Sequence, residues 1–112
     1  MTHQHRDLAS GRWWELSICR QLGNVGSEDS RALKWRDRNP EISRRAFERC
    51  LELMDLTLAH PRHDCSVSRL REIARTREVL VDYFAGSNTY GSTPSSLQRY
   101  FDANALAASR GR

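Results

Sequence analysis

The strongest constraint on the fold is a helix that the sequence predicts between Asn39 and Pro61. Asn39 is a residue type that commonly caps a helix N-terminus, and Pro40 suits the first turn, where its missing N–H has no helical partner to lose. Pro61 ends the pattern because proline cannot donate the next backbone hydrogen bond. Between them, apolar residues recur at helical intervals, which predicts one buried face. These residues are Ile42, Ala46, Phe47, Cys50, Leu51, Leu53, Met54 and Leu58.

A second helix is predicted N-terminal to this one, over about residues 10–38. Gly23 and Gly26 interrupt its apolar pattern, and each glycine costs a helix interior up to about 1 kcal/mol relative to alanine. The favoured interpretation is a single helix in which Gly23, Gly26, Ser27 and Ser30 form a smooth strip against another helix. The alternative is a turn at the glycines, with Ser27 capping a separate helix.

Two more helices complete the predicted fold. One covers about Val67 to Phe84, with Gly86 expected to end it in a left-handed cap. The other begins at Thr93 and Pro94, which repeat the arrangement of a capping residue followed by proline. Four amphipathic helices with short connections favour an all-α, single-domain antiparallel four-helix bundle over residues 1–112. We expect residues 1–8 and 109–112 to fray.

Composition narrows the function classes. The chain has 112 residues and a formal net charge of +4, and 17 of its 18 basic residues are arginine. Codon bias in a G/C-rich genome would explain the excess of arginine over lysine without any function. Alternatively, arginine was selected because its planar guanidinium binds phosphate through two parallel hydrogen bonds. Three cysteines in no paired spacing and the absence of a secretory signal favour the cytoplasm. No stretch approaches the roughly 20 apolar residues of a membrane span.

The basic residues concentrate between positions 31 and 49, where seven basic residues outnumber three acidic ones and give a local charge of +4. A tight connection between the first two helices would bring them together in space. Arginines beside an aromatic side chain can contact a phosphate backbone and stack on a base. A solvated surface with i,i+4 ion pairs is the competing interpretation. We call this set the Arg-rich face, and it consists of Arg31, Lys34, Trp35, Arg36, Arg38, Arg44, Arg45 and Arg49.

Other residues suggest other classes of function. Trp13 and Trp14 point about 100° apart on a helix, so at least one indole is expected near the surface, where tryptophan often anchors an interface. We therefore expect a homo-oligomer or a protein partner. An enzyme with a composite site at a subunit interface is the alternative, with Glu28, Asp29 or the Tyr90 loop contributing. We expect no catalytic residue within one chain and no cofactor. We also expect no metal, because residues 60–65 lack a strong ligand spacing.

Several short motifs stand out in the sequence: residues 23–28, 46–49, 56–57 and 83–91, with Tyr100 and Phe101. These motifs resemble a family of small uncharacterised prokaryotic all-helical proteins. The resemblance covers roughly residues 13–108 and implies no particular activity. Length, charge and helix number are also similar, at the level of fold alone, to the four-helix accessory proteins of diversity-generating retroelements. That likeness implies ring assembly and contact with a reverse transcriptase and its RNA, and it favours an RNA-binding accessory role.

Overall fold

The computed structural model describes residues 12–59 and 65–111, and within these ranges every regular element is helical. A short 3-10 turn over Arg12–Glu15 comes first. The all-helical class expected from the sequence is therefore confirmed for this part of the chain. The four α-helices are α1 over Ile18–Trp35, α2 over Pro40–Ala59, α3 over Val67–Ala85 and α4 over Pro94–Ser109.

Each of these helices begins at a side chain that accepts a hydrogen bond from an otherwise unpaired backbone N–H. Ser17 caps α1 and Ser66 caps α3 in this way. Asn39 Oδ1 accepts from the backbone N–H of the third residue of α2 at 3.3 Å. Thr93 and Ser96 cap α4 reciprocally, each side chain accepting from the other's backbone N–H. The predicted caps at Asn39 and Thr93 are thus confirmed.

The helix predicted over about residues 10–38 is too long at both ends. Residues 10 and 11 lie outside the described ranges, and the first α-helical residue is Ile18 because Ser17 adopts an extended conformation and caps the helix. The helix ends at Trp35, where a turn leads directly into α2. The helix does continue through Gly23 and Gly26, so the interpretation of a single uninterrupted helix at the glycines is confirmed.

Gly23 and Gly26 allow α1 to lie directly against α4. A Cβ added at Gly26 would overlap the Cβ of Phe101, and one added at Gly23 would lie 3.2 Å from the Cα of Ala105. The predicted strip of small residues is therefore correct for its two glycines. Its two serines are exposed and lie outside the contact.

The predicted left-handed cap at Gly86 is wrong. Gly86 is extended, with φ −108°, and the left-handed residues of the following loop are Asn88, with φ 55°, and Gly91, with φ 65°. Asparagine tolerates this conformation because its short polar side chain bonds locally. The Asp82 carboxylate accepts hydrogen bonds from the backbone N–H groups of Thr89 and Tyr90 at 2.8 and 3.0 Å. These bonds hold the first part of the loop, where the left-handed residue is an asparagine.

Helix α1 packs against both α2 and α4, and α2 also packs against α3. The indole of Trp13, from the 3-10 turn, is fully buried and donates to Thr57 Oγ1 at 3.0 Å. Among the helices that the structure describes, none combines the length and the apolar character needed to cross a membrane. The buried apolar core consists of Trp13, Leu22, Val25, Cys50, Leu53, Met54, Leu56, Ile73, Leu80, Leu97 and Phe101.

Candidate functional site

The turn between α1 and α2 places the last residues of α1 close to the first residues of α2. The carbonyl of Trp35 accepts hydrogen bonds from the backbone N–H groups of Arg38, at 3.1 Å, and Asn39, at 2.8 Å. The chain therefore passes from α1 to α2 through a tight turn, as the sequence predicts. Basic side chains at the end of α1 and at the start of α2 become neighbours for this reason.

Two members of the Arg-rich face, Arg36 and Arg44, line a surface pocket of about 310 Å³. The pocket lies between the α1–α2 turn, the first turns of α2 and the last turn of α3. Its surface is mainly apolar, and Phe47 and Phe84 form its floor with their ring centroids 5.0 Å apart. We call it the aromatic pocket, and its lining residues are Arg36, Pro40, Ser43, Arg44, Phe47, Phe84 and Ala85.

The guanidinium of Arg36 is held in place by aromatic rings. Its central carbon lies 4.3 Å from the ring centroid of Tyr83 and 5.6 Å from that of Phe84. Its Nη2 also donates to the carbonyl of Tyr83 at 3.3 Å. A guanidinium has five N–H donors, so most of them remain available beside the pocket. The arrangement combines a fixed positive charge with an adjacent apolar cavity.

Arg44 has an acidic neighbour but remains open to solvent. Its Nη2 donates to Glu41 at 2.7 Å, and Arg45 lies 3.4 Å from the same carboxylate. The hydrogen bond and the charge of Arg44 lower the pKa of Glu41, with a smaller contribution from Arg45. Exposed ion pairs of this kind are weak because water and salt screen them. An anionic ligand can therefore compete with Glu41 for the Arg44 guanidinium.

Arg49 faces away from the aromatic pocket. Its Nη1 lies 3.8 Å from Glu28 of α1, and both side chains are partly buried where α1 meets α2. This separation is too long for a hydrogen bond but close enough for electrostatic attraction. The structure therefore divides the Arg-rich face: Arg36 and Arg44 meet at the pocket, whereas Arg49 pairs with α1.

The other members of the Arg-rich face lie near the α1–α2 turn. The Lys34 ammonium sits 5.7 Å from the Trp35 ring centroid, within cation–π range. Arg31 and Arg38 are exposed. Within residues 12–59 and 65–111, no carboxylate lies within ion-pairing distance of either of them. These two arginines thus add positive charge that no ion pair among the described residues neutralises.

The residues of the composite-site alternative lie in different surroundings. The Asp29 carboxylate is completely buried, and neither of its oxygens has a hydrogen-bond partner among the described residues. Burial, with a smaller effect from Asp102, raises its pKa to about 7. Tyr90 is exposed in the α3–α4 loop, 5.6 Å from the Arg75 guanidinium. Asp29 is not accessible to a substrate in this arrangement.

A second groove, of about 240 Å³, separates α3 from α4. Glu72 and Arg75 both line it, so the charges on its rim are opposite and sum to zero. The Tyr100 hydroxyl is shielded from solvent there and has no hydrogen-bond partner in the described residues. Burial raises the pKa of this hydroxyl above its usual range. This groove therefore lacks the positive rim that distinguishes the aromatic pocket.

No group of three or more histidine, cysteine or acidic side chains is placed to bind a metal ion within the described part of the chain. The sequence segment considered for metal binding, residues 60–65, lies outside those ranges except for Cys65. Cys19, Cys50 and Cys65 all fall inside them and are free thiols.

Sequence reasoning missed the aromatic component of the pocket. Phe47 was assigned to the buried face of its helix, yet Phe47 and Phe84 are both only half-buried. One signal was present: Tyr83 and Phe84 are adjacent at the end of a helix, and neighbouring side chains point about 100° apart. At most one of the two rings can therefore point into the centre of the core. The burial of Asp29 also had a signal, since it lies three residues from Gly26 and from Ala32 on one helix face.

Comparison with known proteins gave no match to this chain among family models, curated proteins or solved structures.

Proposed function

We propose that this protein is a small, non-enzymatic accessory or adaptor protein that binds nucleic acid, preferably RNA, through its Arg-rich face. The observation that carries the proposal is the meeting of Arg36 and Arg44 at an apolar pocket with an aromatic floor. Guanidinium groups bind phosphates through charge-assisted hydrogen bonds, and aromatic surfaces accept bases of any sequence by stacking. The competing interpretation, a solvated surface with ion pairs, accounts for the arginines but gives no reason for the apolar pocket beside them.

Charge supports the same proposal. Arg31, on the last turns of α1, and Arg38, in the α1–α2 turn, are exposed, and neither forms an ion pair among the described residues. The acid closest to Arg44 is Glu41, in an exposed pair that salt screens. A nucleic acid backbone therefore meets several available cations near the α1–α2 turn. Binding would release counterions from the backbone and would weaken steeply with added salt.

The proposal includes an arrangement of the helices and a location. We infer that the four helices alternate in direction as an antiparallel bundle, since α1 packs on α2 and α4 while α2 packs on α3. We also infer self-association or a protein partner, supported by the exposed apolar side chains of Val67, Tyr90 and Leu106. Three free cysteines favour a reducing cytoplasm.

The test is binding of labelled single-stranded RNA, with duplex DNA alongside, over a series of salt concentrations. The oligomeric mass of the protein is measured by light scattering in the same buffer. We expect RNA to bind at low salt, with log affinity falling against log salt at a slope of about −2 or steeper. Such a slope corresponds to about three phosphates neutralised on a single strand.

The variant pair for this test changes charge equally at two places. Arg36→Glu with Arg44→Glu should abolish RNA binding at moderate salt. Arg71→Glu with Arg99→Glu produces the same change in net charge at exposed sites on α3 and α4, and should weaken binding only slightly. Circular dichroism should show unchanged helical content in both. An equal loss of RNA affinity in the two double variants would mean that only net charge matters. If the native protein does not bind RNA at all, a purely structural protein-binding bundle would be favoured.

A further inference from the structure

We propose that the aromatic pocket accepts one unpaired nucleobase, so that the ligand of the Arg-rich face is a single strand or a loop rather than a duplex. This inference rests on the proposed function and names the ligand class for the same site. It follows from the size of the pocket, the chemistry of its floor and the placement of its two arginines.

The size of the pocket matches one small ring system. Its volume of about 310 Å³ lies at the lower end of the range for ligand sites, about 300–1,000 Å³. Its walls come from three different elements: the α1–α2 turn, α2 and the end of α3. A cavity of this size has no room for a helix or strand of a protein partner, whose insertion would require an elongated groove.

The floor suits a planar, uncharged ring. Phe47 and Phe84 are inclined to each other by 33° with centroids 5.0 Å apart, and Pro40 and Ala85 complete the apolar surface. Aromatic side chains stack on nucleobases irrespective of base identity because every base has a π-face. An aliphatic ligand would fit the apolar floor equally well but would offer the two arginines no anionic group to bind.

The arginines are placed for the charged part of the same ligand. Arg36 is fixed against Tyr83 at one edge of the pocket, and Arg44 is exposed at another. A nucleotide carries its phosphates at the periphery of its base, which is the geometry of an apolar pocket with a positive rim. The two guanidinium groups would contact the phosphates that flank the inserted base.

Insertion requires a base that is neither paired nor stacked. In a duplex, neighbouring base pairs cover both faces of each base, and in A-form RNA the major groove is too narrow for side chains to read. Extruding a paired base costs unstacking energy, least where the base is already single-stranded. A duplex would therefore contact only the arginines and would bind more weakly than a single strand of equal charge.

The test compares two strands with the same number of phosphates. One is a fluorescent 12-nucleotide RNA without secondary structure, and the other is an abasic ribose–phosphate strand of the same length. We expect the native protein to bind the RNA at least tenfold more tightly than the abasic strand, with the same salt slope for both. Equal affinities would overturn the inference while leaving phosphate binding, and thus the proposed function, intact. Failure of both strands to bind at low salt would overturn both proposals.

A variant that fills the pocket provides the second measurement. Ala85 is exposed at the pocket wall, so the larger side chain of Ala85→Leu occupies part of the pocket without altering the core. Ala74→Leu makes the same change at an exposed position of α3 that does not line the pocket. We expect Ala85→Leu to lower RNA affinity to that of the abasic strand and to leave abasic binding unchanged, with Ala74→Leu behaving like the native protein. Native RNA affinity in Ala85→Leu would contradict base insertion.

Discussion

Gly26 of α1 lies against Phe101 of α4 so closely that no Cβ fits between them. The contact is between the backbone of one helix and the side chain of the other, and Phe101 is itself almost completely buried. Because the Cβ of Phe101 is fixed to its own backbone, a rotamer change cannot relieve an overlap there. The distance between α1 and α4 is therefore set by the absence of a side chain at position 26.

Gly26→Ala is expected to destabilise the protein by about 1–2 kcal/mol. Overpacking a tight contact costs about 1–3 kcal/mol, and the higher helix propensity of alanine returns up to about 1 kcal/mol. Urea unfolding monitored by circular dichroism measures the difference. The control is Asn24→Ala, an exposed position of the same helix, where the change should stay within about 0.5 kcal/mol. Equal stability of Gly26→Ala and the native protein would mean that the helices separate at little cost.

Thr57→Val is expected to destabilise the protein by about 1–3 kcal/mol. Thr57 Oγ1 accepts the Nε1–H of Trp13 at 3.0 Å, and both side chains are fully buried. Valine has nearly the same shape but no oxygen, so the indole N–H would lose its partner without gaining water. Thr76→Val is the matched control, since Thr76 likewise bonds to the carbonyl four residues earlier but lies nearer the surface. If the two variants lose similar amounts of unfolding free energy, the hydrogen bond from Trp13 contributes nothing specific to stability.

Stability is expected to fall as pH rises from about 4 to about 7, because of Asp29. Burial raises the pKa of this carboxyl from 3.8 to about 7 in the folded protein. Between these values the folded state holds a proton that the unfolded state has released, so raising the pH favours unfolding. Above pH 7 both states are ionised and the loss is complete. The free energy of unfolding falls by up to about 4 kcal/mol, because the pKa differs by about three units and each unit corresponds to about 1.36 kcal/mol.

Asp29→Asn should remove this pH dependence, because asparagine does not ionise. Chemical unfolding at pH 4.5, 6 and 8 measures the free energy of unfolding of the native protein and of the variant. The variant should be the more stable of the two, and the difference should be largest at pH 8. Asp37→Asn, at an exposed position of the α1–α2 turn, should retain the native profile. An unchanged profile in Asp29→Asn would show that other groups control the response to pH.

Cys50 is expected to be unreactive while the protein is folded. Its side chain is fully buried, and burial, together with the nearby Asp29 and Glu28 charges, raises the pKa of the thiol well above its usual range. The thiolate is the reactive species, so both access and ionisation are suppressed. In a variant carrying Cys19→Ser and Cys65→Ser, a disulfide reagent should label no thiol in native buffer and one thiol in guanidinium. Rapid labelling in native buffer would indicate that the α1–α2 contact opens readily.

The helical elements were largely predictable because their signals are local. Asn39 with Pro40, and Thr93 with Pro94, satisfy capping requirements that involve only neighbouring residues, and the structure confirms both helix starts. The start of α1 was mispredicted because an apolar pattern before Ser17 belongs to a 3-10 turn, which shares the helical spacing over one turn. Gly86 was mispredicted because Asp82, several residues earlier, holds the loop instead.

The sequence alone determined that the chain is helical and that its positive charge concentrates around the α1–α2 turn, since propensity, capping and composition depend on residues close in the chain. Only the tertiary structure decided which arginines lie together. Arg44 and Arg49 are five residues apart on α2, yet one faces the pocket beside Phe84 and the other pairs with Glu28. The burial of Asp29 was decided in the same way, because the environment of a side chain depends on the helices packed around it.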